Sequence, residues 1–161
     1  MPSGVRLPAE DVSPSDRDRL PVVKAIKSAP PERAGVAWDD PGVAGAVRLA
    51  DLMTPHWHRF SLEAIQVETR PEADDLRDRI FLSLTTRGGS RVIWGRVPGT
   101  GHPGELTAEQ KIARLEQFVT DLGSLDPPHG PYEINIRHWR EIIYRPLHSD
   151  NAFSLPVTVV R

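Results

Sequence analysis

The sequence predicts an α+β fold in which two main helices pack on a mostly antiparallel, mixed β-sheet. Three observations support this class: residues 80–95 have the pattern of a β-hairpin, residues 107–123 that of a capped amphipathic helix, and residues 40–53 that of an earlier helix. Strand-like runs flank both helices. Because no internal repeat and no long linker divides the chain, we expect a single domain over residues 1–161.

Composition and charge narrow the class of protein. The 161 residues include 20 basic and 22 acidic side chains, and a net charge of −2 gives no long-range field to recruit nucleic acid or an anionic membrane. The absence of cysteine excludes disulfides and thiolate metal sites but leaves the compartment open. We find no apolar run near the roughly 18 residues of a membrane helix, and the N-terminus lacks the basic start and apolar stretch of a signal peptide.

The first helix is predicted to begin after Asp40, which can cap its N-terminus. Pro41 then fills the first helical position, where a missing N–H costs nothing. Apolar residues recur at helical spacing as far as Met53, and Pro55 ends the helix. Other parts of this half are predicted to be extended, namely residues 5–7, 20–26 and 60–67.

The hairpin carries the clearest strand pattern. Residues 80–84 place apolar side chains at every second position, as a half-buried strand does. Gly88 and Gly89 can supply the positive φ that a tight hairpin turn needs. The chain returns over residues 91–96, where we expect Trp94 to lie in the core.

The second helix has both of its ends marked in the sequence. Thr107 is a good N-cap, and Gln110, three residues later, completes a capping box. Gly123 fits the position just beyond the C-terminus. The stripe predicted to face the core comprises Ile112, Leu115, Phe118, Val119 and Leu122.

The last strand region begins with apolar side chains at alternate positions: Tyr132, Ile134 and Ile136. Two continuations are open. If the strand runs on, Ile142 and Tyr144 keep the same parity. If residues 138–141 form a turn, residues 142–145 are a separate short strand. Residues 157–160 are either a final edge strand or a tail.

The glycine-rich loop after the hairpin matches a nucleotide-binding motif, and it also has the composition of an exposed turn. Gly99, Gly101 and Gly104 match G-x-G-x-x-G, whose glycines can let a backbone approach a pyrophosphate at a helix N-terminus. However, the preceding strand is one arm of a hairpin, and Pro98 and Pro103 remove N–H donors. We therefore expect an exposed turn, with a small nucleotide-binding or enzymatic domain as the alternative function.

Other candidate sites are weaker. His56 and His58 share a face if extended, but no third ligand lies close in sequence, so we predict no metal site and no cofactor. Serine-nucleophile motifs such as G-x-S-x-G are missing from the sequence, and we predict no catalytic residues. Trp139, flanked by Arg137 and Arg140, has the composition of an exposed interface hot spot.

Several of these segments, taken in order, resemble the extracytoplasmic β-domain of the FtsQ/DivIB family of bacterial division proteins. In the second half, the matching stretches are Thr86-Arg-Gly-Gly-Ser-Arg-Val-Ile-Trp-Gly95, Glu109-Gln-Lys-Ile-Ala-Arg-Leu115 and Ile134-Asn-Ile-Arg137. In the first half they are Gly4-Val-Arg-Leu-Pro8, Leu20-Pro-Val-Val23 and the helix over residues 43–53. The resemblance spans most of the chain. It departs from the family at residues 138–141, and the family's membrane helix and POTRA domain have no counterpart in this sequence.

The resemblance implies a non-enzymatic scaffold that acts in septum formation at the extracytoplasmic face of the inner membrane. Its expected partners are FtsB/FtsL-type division proteins, added as a strand at the C-terminal edge, and neither nucleic acid nor a small-molecule substrate is expected. Arg137 falls on the family's motif position. His138, Trp139 and Tyr144 are inferred from their residue types and expected exposure. The predicted partner-binding residues are Tyr132, Ile134, Ile136, Arg137, His138, Trp139, Ile142 and Tyr144. A third possibility is a structural domain without a surviving partner.

Overall fold

The computed structural model describes residues 4–17, 19–75, 78–126, 128, 130–147 and 158–160. The strands formed by these residues are β1 (Val22–Lys24), β2 (Leu62–Thr69), β3 (Ile80–Thr86), β4 (Arg91–Arg96), β5 (Tyr132–Asn135), β6 (Ile142–Pro146) and β7 (Thr158–Val160). The α-helices are α1 (Pro14–Arg17), α2 (Pro41–Met53) and α3 (Ala108–Leu122), and the 3₁₀ turns are Ala9–Asp11 and Thr54–His56.

The strands form one mixed sheet whose spatial order follows the chain, from β1 to β7. β1 pairs with β2 and β4 with β5 in parallel, and each of these pairs is joined through a helix, α2 or α3. The remaining neighbours are antiparallel. This arrangement confirms the predicted α+β class, with a mostly antiparallel sheet and two main helices.

Both main helices pack on the same face of the sheet. One continuous core joins Leu49 and Met53 of α2 to Leu115 and Phe118 of α3 through the strands between them. Trp94 is fully buried in this core, as predicted. The strand residues of the core include Ile65, Val67, Leu82, Leu84, Val92, Ile134 and Ile142.

The helix ends form as the local sequence predicts. The Asp40 carboxylate accepts hydrogen bonds from the N–H groups of Gly42 and Val43, at 2.7 and 3.1 Å. The Thr107 hydroxyl accepts from the Gln110 N–H at 3.3 Å, and the Gln110 side chain accepts from the Thr107 N–H at 2.9 Å. Local signals decide these termini because each cap involves residues no more than three positions apart.

The opposite face of the sheet is polar. On it, the Glu133 carboxylate of β5 accepts from the Arg145 guanidinium of β6 at 2.7 Å. The ring of Phe81 lies under two guanidinium groups, with Arg70 at 4.0 Å and Arg137 at 5.1 Å from its centroid. Such cation–π contacts cover an aromatic ring that has no helix above it.

Three expectations about the ends of the chain meet different outcomes. Residues 5–7 are not a strand, and only Val5 forms an isolated bridge, with Ala37. Of the two continuations after β5, the second is correct, because β6 is a separate strand. β7 is the final edge strand over Thr158–Val160, while residue 157 lies outside the described residues.

In the described part of the chain, no helix has the length and apolar character needed to cross a membrane.

Candidate functional site

The candidate site is the C-terminal edge, by which we mean β6, β7 and the connection over residues 136–141 that precedes β6. β5 does not lie at this edge, because it pairs with β4 on one side and β6 on the other. β6 lies between β5 and β7. β6 belongs to the region at which strand addition is predicted, and part of it is therefore already paired on both sides.

Polar contacts at the hairpin turn set the position of β5. The Ser90 hydroxyl accepts a hydrogen bond from the Tyr132 N–H at 2.9 Å. The Asp126 carboxylate accepts from the Thr86 hydroxyl at 2.6 Å and from the Ser90 N–H at 3.2 Å. A Cβ atom at Gly88 would lie 2.4 Å from the Asp126 carboxyl carbon, so the turn has no room for a larger residue. These contacts tie the hairpin to the chain that leads into β5 and β6.

The backbone of β6 presents alternate N–H groups to its two neighbours. Leu147, one residue past β6, donates its N–H to the chain just before β5 at 2.7 Å. Because hydrogen-bonded and non-hydrogen-bonded pairs alternate along an antiparallel ladder, the N–H groups of Ile143 and Arg145 also point toward β5. Those of Ile142 and Tyr144 consequently point away from β5, toward the outer edge.

Most of the predicted partner-binding side chains face the core. Tyr132, Ile134, Ile136 and Ile142 are buried. Tyr144 is half-buried and makes edge-to-face contacts with Phe118 and Tyr132, with centroid distances of 5.2 and 5.5 Å. Of these five residues, Ile142 and Tyr144 direct backbone N–H groups to the outer side of β6, whereas Tyr132 and Ile134 belong to β5, which is paired on both sides.

Arg137 is folded back onto the polar face of the sheet. Its Nε donates to the Asn135 side-chain oxygen at 3.0 Å, and its guanidinium lies over Phe81. A Cβ atom at Gly95 would lie 3.0 Å from Cδ of Arg137, and Gly95 also has a φ of 102°. Arg137 therefore packs along β4 and β5.

Arg137, His138 and Trp139 are the exposed members of the predicted set, and all three lie in the connection before β6. Trp139 is 58% exposed, although its indole N–H donates to the Gly104 carbonyl at 2.7 Å. The Arg114 guanidinium of α3 donates to the Trp139 carbonyl. These two bonds hold the connection against α3 and leave much of the indole ring in solvent.

A second feature is the cleft beside the glycine-rich loop, with a volume of about 480 Å³. Its walls come from α2, the end of β4, the loop and the first turns of α3, and they include Arg48, Asp51, Trp94, Glu105, Glu109 and Lys111. The volume lies in the range of small-molecule sites. We refer to it as the Lys111 cleft.

Lys111 is a charged group that the sequence pattern did not place in the interior. It is 2% exposed, donates to the Glu105 carboxylate at 2.6 Å and lies 5.1 Å above the Trp94 ring centroid. Burial lowers the pKa of Lys111, and the Glu105 carboxylate only partly opposes this shift. The buried Trp94 indole N–H has no acceptor among the described residues. In the sequence, Lys111 lies within the stretch from Glu109 to Leu115 that carries the resemblance described above, and its position beside an apolar stripe does not indicate burial.

The geometry of the loop weighs against a pyrophosphate site. Thr107 and Gln110 satisfy each other's N–H groups, so two donors of the helix N-terminus are already used. The carboxylates of Asp51 and Glu109 line the same cleft and would repel phosphate, and the Lys111 ammonium is already paired with Glu105 at 2.6 Å.

The two candidate metal ligands, His56 and His58, have different surroundings. His56 stacks on Phe60 with a centroid distance of 5.7 Å, and its Nδ1 lies 3.6 Å from the Glu116 carboxylate. His58 is exposed. Within the described ranges, no group of three or more potential metal ligands comes together.

Comparison with protein-family models, with curated proteins and with solved structures gives no significant match.

Proposed function

We propose that this chain is a non-enzymatic interaction module of the FtsQ/DivIB β-domain type in bacterial cell division. It binds an FtsB/FtsL-type partner by strand addition at the C-terminal edge. The observation that carries the proposal is the outward direction of the Ile142 and Tyr144 N–H groups on β6. Backbone groups on the outer side of a strand are a template for a further strand, and in this chain β7 occupies that position on β6.

The composition of β6 agrees with this role. Pro146, at the end of the strand, pairs with Tyr132 in the same non-hydrogen-bonded class as Tyr144 and Ile134. Its missing N–H therefore lies on the outer side and leaves the ladder with β5 intact. A partner strand on β6 would meet donors at Ile142 and Tyr144 and would be stopped at the proline.

The exposed side chains supply recognition beside the backbone ladder. Trp139 presents an anchored aromatic ring, and His138 and Arg140 are exposed next to it. Aromatic and arginine side chains contribute most to binding energy in protein interfaces. Under the proposal, the indole of Trp139 packs against the partner next to the added strand.

The test uses two variants that differ in one backbone donor. Ile142→Pro removes an outward N–H, whereas Ile142→Ala removes core contacts but keeps that N–H. We expect Ile142→Pro to bind an FtsB/FtsL-type coiled-coil peptide at least about tenfold more weakly than Ile142→Ala, or ~1.4 kcal/mol. Isothermal titration calorimetry measures both affinities, after circular dichroism has confirmed that both variants fold. Equal affinities would exclude strand addition at β6.

Small-molecule binding in the Lys111 cleft is the second candidate, favoured by the unpaired Trp94 indole N–H and by the cleft volume. Thermal-shift measurements with NAD⁺ and ATP separate the two functions. A rise in melting temperature that Lys111→Met abolishes would favour this candidate over the scaffold.

A further inference from the structure

The outer side of β6 is occupied by a segment of the same chain. β7 is antiparallel to β6, and the pairs are Tyr144 with Thr158, Ile143 with Val159, and Ile142 with Val160. The N–H groups of β6 that point outward are those of Ile142 and Tyr144, as derived above. β7 therefore pairs with the two positions that a partner strand on β6 would need.

The alternation along the ladder also assigns directions within β7. Since Ile142 and Tyr144 form the hydrogen-bonded pairs on this side, Val160 and Thr158 direct their N–H groups toward β6. The N–H of Val159 then points away from β6. One face of this short strand thus serves the contact with β6, and the other is the last edge of the sheet.

We infer that β7 is an internal competitor for the partner site: it fills the outer edge of β6 within the same chain, and a partner strand binds by displacing it. The inference rests on the proposed function for the identity of the partner. The occupied edge itself rests on the pairing of β6 and β7.

Displacing the described part of β7 breaks three residue pairs. This part comprises Thr158–Val160, whereas strands in globular proteins usually have five or six residues. Its described pairs are with Ile142, Ile143 and Tyr144, and the residues before Thr158 lie outside the described residues. A longer partner strand would replace all of these contacts and could add the aromatic surface of Trp139.

The residues of β7 indicate what kind of partner segment would bind to β6. Thr158, Val159 and Val160 are all β-branched, the residue type that suits a pleated, half-buried strand. In a partner strand, side chains opposite Ile142 and Tyr144 would lie on the helix-covered face of the sheet. The partner segment is therefore antiparallel to β6, free of proline, and apolar at two positions separated by one residue.

Tethering gives β7 an advantage that no free peptide has. A segment joined to its site by a short connection acts at an effective concentration of millimolar order. Wild-type chain should consequently bind a partner peptide more weakly than a chain whose β7 cannot pair.

The experiment uses two proline variants of the full chain. Val160→Pro removes an N–H that points toward β6, whereas Val159→Pro removes one that points away. The probes are a labelled peptide with the sequence of residues 155–161 (Leu-Pro-Val-Thr-Val-Val-Arg) and an FtsB/FtsL-type peptide. Fluorescence anisotropy measures the affinity of each probe for each chain.

We expect Val160→Pro to bind both probes at least about tenfold more tightly than wild type, with Val159→Pro close to wild type, because only the first variant removes the tethered competitor. Equal affinity of all chains for the FtsB/FtsL-type peptide would overturn the inference and leave the proposed function standing. Weaker binding to both variants would also overturn it, because a partner would then add to the outer side of β7. If no chain binds the FtsB/FtsL-type peptide while Val160→Pro gains affinity for the 155–161 peptide, the internal competition stands and the proposed partner is wrong.

Discussion

Two parts of the sheet have the same connectivity. β1–α2–β2–β3 and β4–α3–β5–β6 each consist of a strand, a helix, a parallel strand and an antiparallel strand. We refer to them as the first and second units. The sequence shows no internal repeat, so the similarity lies in the order of elements alone.

The units differ at their outer edges. The first unit ends at β1, a three-residue strand with no described strand beyond it and with Val22 46% exposed. The second unit ends at β6, which has five residues and is covered by β7. The comparison shows that the helix crossovers build the core in the same way on both sides. Whether a partner strand could add depends on the length and pairing of the strands at each outer edge.

The helices also differ in how they reach the core. α2 approaches the sheet through small residues, and a Cβ atom at Gly45 would lie 2.6 Å from Val97. α3 instead buries the Lys111 amine against Trp94 and neutralises it with Glu105. The first unit therefore depends on close packing, and the second includes a buried ion pair.

The largest expected effect tests whether the two units are one cooperative body. Leu49→Ala in α2 and Leu115→Ala in α3 each remove a fully buried side chain, which should cost about 2–5 kcal/mol of unfolding free energy. Because both leucines belong to one core, urea unfolding followed by circular dichroism and by tryptophan fluorescence should coincide in each variant. Separate transitions for the two probes would show that the units unfold independently.

A smaller effect is expected at the buried ion pair of the second unit. Glu105→Ala leaves the Lys111 ammonium buried without its partner and should cost about 3 kcal/mol, measured by urea unfolding. Lys111→Met fills a similar volume and leaves Glu105 paired with Arg96 at 3.7 Å, so it should cost clearly less than Glu105→Ala. A large loss of stability in Lys111→Met and a small one in Glu105→Ala would contradict this account.

The same pair gives a pH dependence with a definite sign. The folded-state pKa of Lys111 is below its ordinary value of 10.5, mainly because the amine is buried. Between the folded and unfolded pKa values, the unfolded chain binds more protons, so the stability of the wild type rises with pH. Relative to Lys111→Met, the wild type should therefore gain stability as the pH approaches 10.5, a gain that unfolding curves at several pH values can detect.

The smallest of these effects concerns the helix caps, one in each unit. Asp40→Ala and Thr107→Ala should each cost about 1 kcal/mol. Burial raises the pKa of Asp40, but hydrogen bonds from Ser28, Val43 and Gly42 outweigh this and leave it below its ordinary value of 3.8. The stabilisation by Asp40 is consequently complete above that value and is lost as the pH falls through the folded pKa.

Asp40→Asn is the control for that pH dependence, since asparagine is about as good an N-cap and carries no charge. Thermal unfolding between pH 2 and 6 should show the difference between wild type and Asp40→Asn shrinking in acid. A difference that stays constant over this range would remove the carboxylate from the explanation.

Features decided by neighbouring residues could be predicted from the sequence. Asp40, Thr107 and Gly89 occupy the cap and turn positions predicted for them, because each acts within about one turn of chain. The period-two pattern also assigned the helix-covered face of β3 and β5 correctly, since burial on one face imposes that period.

Features that depend on distant residues could not be predicted. The burial of Lys111 depends on Glu105 and on the Trp94 ring from another strand, and its position beside an apolar stripe does not distinguish it from a surface lysine. The outer neighbour of β6 was equally hidden, because a three-residue run such as Thr158–Val160 has no pattern that names its partner. At the candidate site, the sequence indicated exposed Trp139 but not that β5 is paired with a strand on each side and therefore lies inside the sheet.

The charged, arginine-covered face of the sheet restricts the ways in which this molecule can assemble with others. That face cannot stack on a second sheet without desolvating Arg91, Glu133 and Arg145. A further strand would therefore add at the edge of the sheet, about 4.8 Å from the last strand. Neighbouring strands rotate by roughly 20–25° each, which makes a strand at the β7 position turn about 120–150° from β1. Under the proposed function, a partner strand at that position would leave along an axis fixed by the accumulated twist, so the domain would set the orientation of the complex.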